Sequence, residues 1–116
     1  MKCLIIDDSG TMRKMYAKAL ADAGYNFDIV EAGDGSDGLA KLASEEVNLI
    51  LVDAVMPGMG GVEFSKKVKS HPKYKSIPMI MITGNKDEAQ GHAADVLLIK
   101  PFKPDDLKAQ LTKLGL

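Results

Sequence analysis

The sequence predicts an α/β domain built on an open parallel sheet, and three observations carry that expectation. Five short, nearly pure apolar runs punctuate the chain: Cys3–Ile6, Phe27–Val30, Leu49–Val52, Met79–Ile82 and Val96–Ile99. They are unalternating and rich in Ile and Val, the pattern of strands buried on both faces. Between them lie stretches whose apolar residues recur at helical spacing, so strands and helices alternate and the crossovers should be right-handed. Finally, polar and chemically active residues stand immediately after the runs, where sheets of this kind collect their sites.

Each element has its own justification. After the first run, Met12, Met15, Tyr16, Ala19, Leu20 and Ala23 mark a helix that Ser9 can cap and Gly24 can end. Leu39 and Leu42 mark a second helix, over Ser36–Ser44, and Phe64 and Val68 a third, over Val62–Ser70. The stretch between the fourth and fifth runs shows no clear helix. Leu107, Leu111 and Leu114 mark a last helix that opens on Pro104, a residue suited to a first helical turn.

Composition bounds the rest. At 116 residues the chain is one domain, and 46% apolar content is enough for a core. Lys and Arg number 15 against 16 Asp and Glu, a net charge of −1, so no basic excess points to nucleic acid or an anionic membrane. Cys3 is the only cysteine, which excludes an internal disulfide and a cysteine zinc cluster. It reads as a small buried hydrophobe. There is no signal-peptide pattern and no apolar run of membrane-spanning length, so a small, soluble, cytoplasmic domain is expected.

At the carboxyl ends of the runs stand, in order, Asp7-Asp8-Ser9, then Gly33-Asp34-Gly35, then Asp53 with Val55-Met56-Pro57-Gly58, then Thr83-Gly84-Asn85, then Lys100-Pro101-Phe102. Three carboxylates, a hydroxyl and an ammonium would converge at one rim. Crowded carboxylates raise each other's pKa unless a cation sits among them, and an all-oxygen site suits Mg²⁺. A carboxylate can also attack phosphorus to give an aspartyl phosphate, with a metal, a lysine and a hydroxyl neutralising and positioning the transferred group. Asp53, alone after the central run, is the nucleophile candidate; Asp7 and Asp8 are the metal-ligand candidates. Taken singly, each residue has a plainer reading: Asp7-Asp8 as a solvated strand end, Asp53 as a cap, Thr83 as a turn residue, Lys100 as a surface cation.

Together these motifs resemble the receiver domain of two-component response regulators, and Asp8-Ser9-Gly10-Thr11-Met12-Arg13 is similar to the chemotaxis-type, CheY-like receivers. The resemblance covers essentially the whole chain. It implies a flavodoxin-like open five-stranded parallel sheet of order 2-1-3-4-5, with helices on both faces. It leaves no residues for an output domain, so it implies a stand-alone receiver over residues 1–116. Asp53 would be the phosphoacceptor. Asp7, Asp8, Asp53 and the backbone carbonyl of Val55 would hold Mg²⁺. Thr83 would donate its hydroxyl to the phosphoryl group and Lys100 would bind a phosphoryl oxygen.

The implied partners are a histidine kinase as phosphodonor and a protein output target, with no DNA and no membrane, for a monomeric chain. The implied chemistry is phosphoryl acceptance and slow self-hydrolysis, which makes the chain a signalling module rather than an enzyme. An interaction module that keeps the pocket but works unphosphorylated is the nearest rival.

Two departures from the family pattern stand out. Leu97 occupies the position, three before Lys100, where the family often has a switching Tyr or Phe. Thr83 and Lys100 are only 17 positions apart, shorter than the family usually has, so the fourth helix is expected to be shortened, displaced or missing. The intervening segment offers only Ala89, Ala93 and Ala94 for packing, so low local stability is expected over residues 84–95, with phosphorylation ordering it. A second rival reading comes from Gly33-Asp34-Gly35-Ser36-Asp37-Gly38, which fits the G-x-G-x-x-G of dinucleotide-binding enzymes. Asp34 and Asp37 would oppose a pyrophosphate there, which favours an ordinary Gly-rich turn.

Overall fold

In the computed structural model, which describes residues 1–116, strands β1 (Lys2–Ile6), β2 (Asp28–Ala32), β3 (Leu49–Asp53), β4 (Met79–Thr83) and β5 (Val96–Ile99) form one parallel sheet of order β2-β1-β3-β4-β5. Helices α1 (Gly10–Asp22), α2 (Gly35–Ser44), α3 (Gly61–Lys69) and α4 (Pro104–Lys113) connect and follow them. The sequence dictates the helix ends locally. The Ser9 hydroxyl accepts the Met12 amide at 3.2 Å, and Gly24, just past α1, takes the left-handed φ of +95° that an L side chain disfavours. Pro104 opens α4, and the Asp106 carboxylate reaches back to the Lys103 amide at 2.8 Å.

Alternate residues of the central strands feed two cores. Leu4, Ile6, Ile50, Val52, Met79 and Met81 pack with Leu42, Phe64 and Val68 on the α2–α3 face. Cys3, Ile5, Leu49, Leu51, Ile80 and Ile82 pack with Tyr16, Leu20, Leu107 and Leu111 on the α1–α4 face. β1, β3 and β4 are the strands buried on both faces. The expectation that all five are so fails at the two edges. β2 is mostly exposed, with Ile29 open to solvent, and Ile99 of β5 is exposed, because an edge strand has a neighbour on one side only. No helix is long and apolar enough to cross a membrane.

Between β4 and β5 the chain makes only a 3₁₀ turn, Lys86–Ala89, where a fourth crossover helix was in question. The apolar contacts there are as few as expected, and polar contacts are added to them. Ala89 is buried and Ala94 packs on the first core. The Ala93 amide donates to Ser65 Oγ at 3.0 Å, and Asp95 Oδ2 accepts both the Met79 amide and Lys69 Nζ at 2.8 Å. Polar groups from α3 and β4 thus hold what apolar side chains on the segment could not.

Candidate functional site

Strand alternation decides which side chains meet at the carboxyl rim. On β1 and β3, odd-numbered residues face α1 and α4, so Asp7 and Asp53 continue that row past Ile5 and Leu51. The register pairs Ile6 with Val52, so the next residues, Asp7 and Asp53, stand side by side. On β4 the even residues face α1 and α4, which turns Thr83 the other way, toward the 3₁₀ turn. Lys100 follows β5 and reaches back across the rim; the Lys100–Pro101 peptide bond is cis.

One carboxylate oxygen from each of Asp7, Asp8 and Asp53 lies within 4.8 Å of the others. Asp7 and Asp53 are buried, whereas Asp8 is exposed. Lys100 Nζ is 3.3 Å from Asp53 Oδ1. Burial pushes the Asp53 carboxyl above its ordinary pKa; the Lys100 charge opposes that rise, and the Asp7 and Asp8 charges add to it. Asp7 is raised too, first by burial and then by Asp8, against the pull of the Ser9 amide and Lys100. Its Oδ1 accepts the Ser9 amide at 2.8 Å, while its Oδ2 is buried with no hydrogen-bond partner.

This arrangement fits a hard cation. The donors are all oxygen, the negative charge is only partly compensated by one lysine, and a buried carboxylate oxygen lacks a partner. The Val55 carbonyl, two residues past Asp53, accepts no hydrogen bond from the protein, and the Val55 side chain is exposed at the rim.

Thr83 is at the rim but its hydroxyl is occupied elsewhere. Oγ1 lies 3.0 Å from the Asn85 carbonyl and 3.4 Å from Glu88 Oε1, and it accepts the Asn85 amide at 3.2 Å. Leu97 packs on the first core. The Gly-rich stretch is a helix start. Asp34 caps α2 through the Asp37 amide at 2.8 Å, and Asp37 Oδ2 takes the Gly33 amide at 3.3 Å, so acids already occupy amides a pyrophosphate would need. Its glycines serve packing: a Cβ on Gly35 would sit 2.8 Å from the Met59 carbonyl oxygen, and one on Gly38 2.6 Å from Ile6 Cδ1.

Two residues near the site carry more than the helical pattern suggests. Arg13 donates to the Asp7 carbonyl at 2.6 Å and to Glu31 at 2.8 Å, tying α1 to β1 and β2. Tyr16, which the pattern marks as core, also brings a buried hydroxyl with no partner. A phenol where an aliphatic side chain would complete the apolar face is the only sequence signal for it.

Fold and rim together define a signalling receiver, and the comparisons agree. The model of the response regulator receiver domain matches residues 3–112. The chemotaxis protein CheY1 of Helicobacter pylori is 39% identical over 117 residues, covering 96% of this chain and 94% of that one. The structure of the chemotaxis response regulator CheY4 of Vibrio cholerae superimposes with a TM-score of 0.82 at 36% identity, covering 97% of each chain. That of the response regulator TrrA of Thermotoga maritima, in complex with Mg²⁺-BeF, superimposes with a TM-score of 0.83 at 29% identity, again covering 97% of each. The chain belongs to the response regulator receiver family, of the CheY type, and is a component of two-component phosphorelay signalling.

Proposed function

We propose that Asp53 accepts a phosphoryl group from the phosphohistidine of a histidine kinase. A carboxylate oxygen of Asp53 attacks phosphorus, the P–N bond breaks, and an acyl phosphate forms while the imidazole leaves. The observation that carries this reading is the geometry around Asp53, whose carboxylate lies against Lys100 Nζ on one side and among the Asp7 and Asp8 oxygens on the other. Asp7, Asp8, Asp53 and the Val55 carbonyl are the groups that would hold Mg²⁺, which when bound neutralises charge on the pocket and on the phosphoryl oxygens. Lys100 exchanges its partner from Asp53 to a phosphoryl oxygen. Slow attack of water on the acyl phosphate returns Asp53 and inorganic phosphate.

The switch follows from Thr83. To donate to a phosphoryl oxygen, its hydroxyl must give up the Asn85 carbonyl, and the Asn85 amide loses its acceptor geometry with it. The loop Gly84–Ala89 then rearranges, with no aromatic residue needed at Leu97, and affinity for a protein output partner changes. The test is incubation with Mg²⁺ and acetyl phosphate, read by intact mass. One phosphate adduct in the native protein and none in Asp53→Asn is expected. An adduct of equal yield in Asp53→Asn, or none in the native protein, would overturn the assignment.

A further inference from the structure

Two buried side-chain oxygens have no hydrogen-bond partner, Asp7 Oδ2 and the Tyr16 hydroxyl. Both belong to the α1–α4 face of the sheet: Tyr16 is part of that core, and Asp7 continues the row of Cys3 and Ile5 toward it. One is an acceptor and the other carries a proton to donate. A buried phenol normally finds a partner, since leaving it unpaired forfeits the hydrogen bonds it makes to water. The Tyr16 ring is fixed by stacking on Phe102, with centroids 5.9 Å apart and planes inclined by 23°. With Met12, Ala19, Lys100 and Phe102 it lines a cavity of about 360 Å³, so the ring also borders the lysine that faces Asp53.

We propose that Tyr16 is a positioning residue whose hydroxyl donates to Asp7 Oδ2 and fixes that carboxylate for the cation. Each carboxylate oxygen has two lone-pair sites, so Asp7 can accept from Ser9 and Tyr16 and still face the pocket. A phenol is protonated at neutral pH, so the Tyr16 hydroxyl is a donor. The arrangement is the outer-shell support that metal-binding carboxylates commonly need. It also joins the acid pocket, through Phe102, to the segment entering α4.

The inference rests on the cation reading of the pocket, and the experiment separates the two. MgCl₂ is titrated into the native protein and Tyr16→Phe by calorimetry, with thermal unfolding in parallel. Tyr16→Phe keeps the ring stack, so its unfolding midpoint should stay near the native one while Mg²⁺ affinity falls about tenfold. Unchanged Mg²⁺ affinity would overturn the proposal. NMR of the native protein and Asp7→Asn tests the bond without metal, and serves equally if Tyr16→Phe does not fold. A slowly exchanging Tyr16 hydroxyl proton that shifts in Asp7→Asn is expected; a signal absent, or indifferent to Asp7, would overturn the proposal. A native protein that binds no Mg²⁺ would overturn the cation reading and Tyr16's role toward it, whatever the hydroxyl proton shows of the bond itself.

Discussion

Replacing Thr83 by valine removes one hydroxyl and leaves the shape of a buried side chain nearly unchanged. That hydroxyl holds the loop after β4 through the Asn85 carbonyl at 3.0 Å and the Asn85 amide at 3.2 Å. Glu88 at 3.4 Å competes for the same single proton and adds little. Two hydrogen bonds at about 0.5–1.5 kcal/mol each set an upper bound of about 3 kcal/mol on local stability. Asn85 is exposed, so water replaces part of what is lost, and about 1–2 kcal/mol remains, a factor of roughly 5–30. Asn85 in turn receives the Asp87 and Glu88 amides, so the loss should spread through the 3₁₀ turn. Hydrogen exchange by NMR is the assay. The amides of Asn85, Asp87 and Glu88 should exchange faster in Thr83→Val by that factor, while Ala93, anchored on Ser65, should not change. A beryllofluoride adduct of the native protein should reproduce the pattern, because it draws the hydroxyl away from the same partners. Unchanged exchange at Asn85, Asp87 and Glu88 in Thr83→Val would refute the reasoning, and a slowing in the adduct would return the switch to an ordering one.

Asp53 has a folded-state pKa above its unfolded one, so its contribution to stability is fully present below about pH 4 and is lost as pH rises through the raised value. Asp53→Asn removes that loss, so in urea unfolding without metal its stability relative to the native protein should increase from pH 4 to pH 7; a flat or falling difference would contradict the burial argument. In Gly61→Ala, a Cβ at the start of α3 would overlap the Asp53 carbonyl, so about 1–3 kcal/mol should be lost, where an open helical site would gain about 0.5–1 kcal/mol; the sign in urea unfolding decides. Val55→Asn places a group able to orient water at the rim, and loss of the Asp53 phosphoryl group, followed by mass, should quicken about tenfold, less than the ~10²-fold or more of a full general base; an equal or slower rate would count against the assignment.

The three central strands were legible because burial on both faces leaves an unbroken apolar run, and their ends were marked by acids after β1 and in β3 and by Thr83-Gly84 at the end of β4. The apolar pattern places the second strand over Phe27–Val30, whereas β2 runs Asp28–Ala32. An exposed edge carries no hydrophobic signal of its own length, and the ladder with β1, Lys2 on Asp28 through Ile6 on Ala32, sets it instead. That a full fourth crossover helix is missing, with a 3₁₀ turn in its place, follows from the 17-position spacing of Thr83 and Lys100 set against the family pattern. The anchoring of the segment does not: Ser65 to Ala93 and Lys69 to Asp95 are hydrogen bonds between side chains and partners 28 and 26 residues away, and periodicity reports only apolar contacts.

The candidate site divides along the same line. That Asp7 and Asp53 share a rim follows from counting residues past two buried strands, and the pairing of Ile6 with Val52 makes them neighbours. Which way the hydroxyls point does not follow from such counting. The Thr83 hydroxyl is taken up by the carbonyl and amide of Asn85, at the entry to the 3₁₀ turn, and residue spacing carries no trace of those bonds. Tyr16 sits where helical spacing asks only for an apolar residue, and its ring satisfies that demand by stacking on Phe102. The oxygen beyond the ring is invisible to hydropathy, yet it is the feature by which α1 can reach the acid pocket as well as the core.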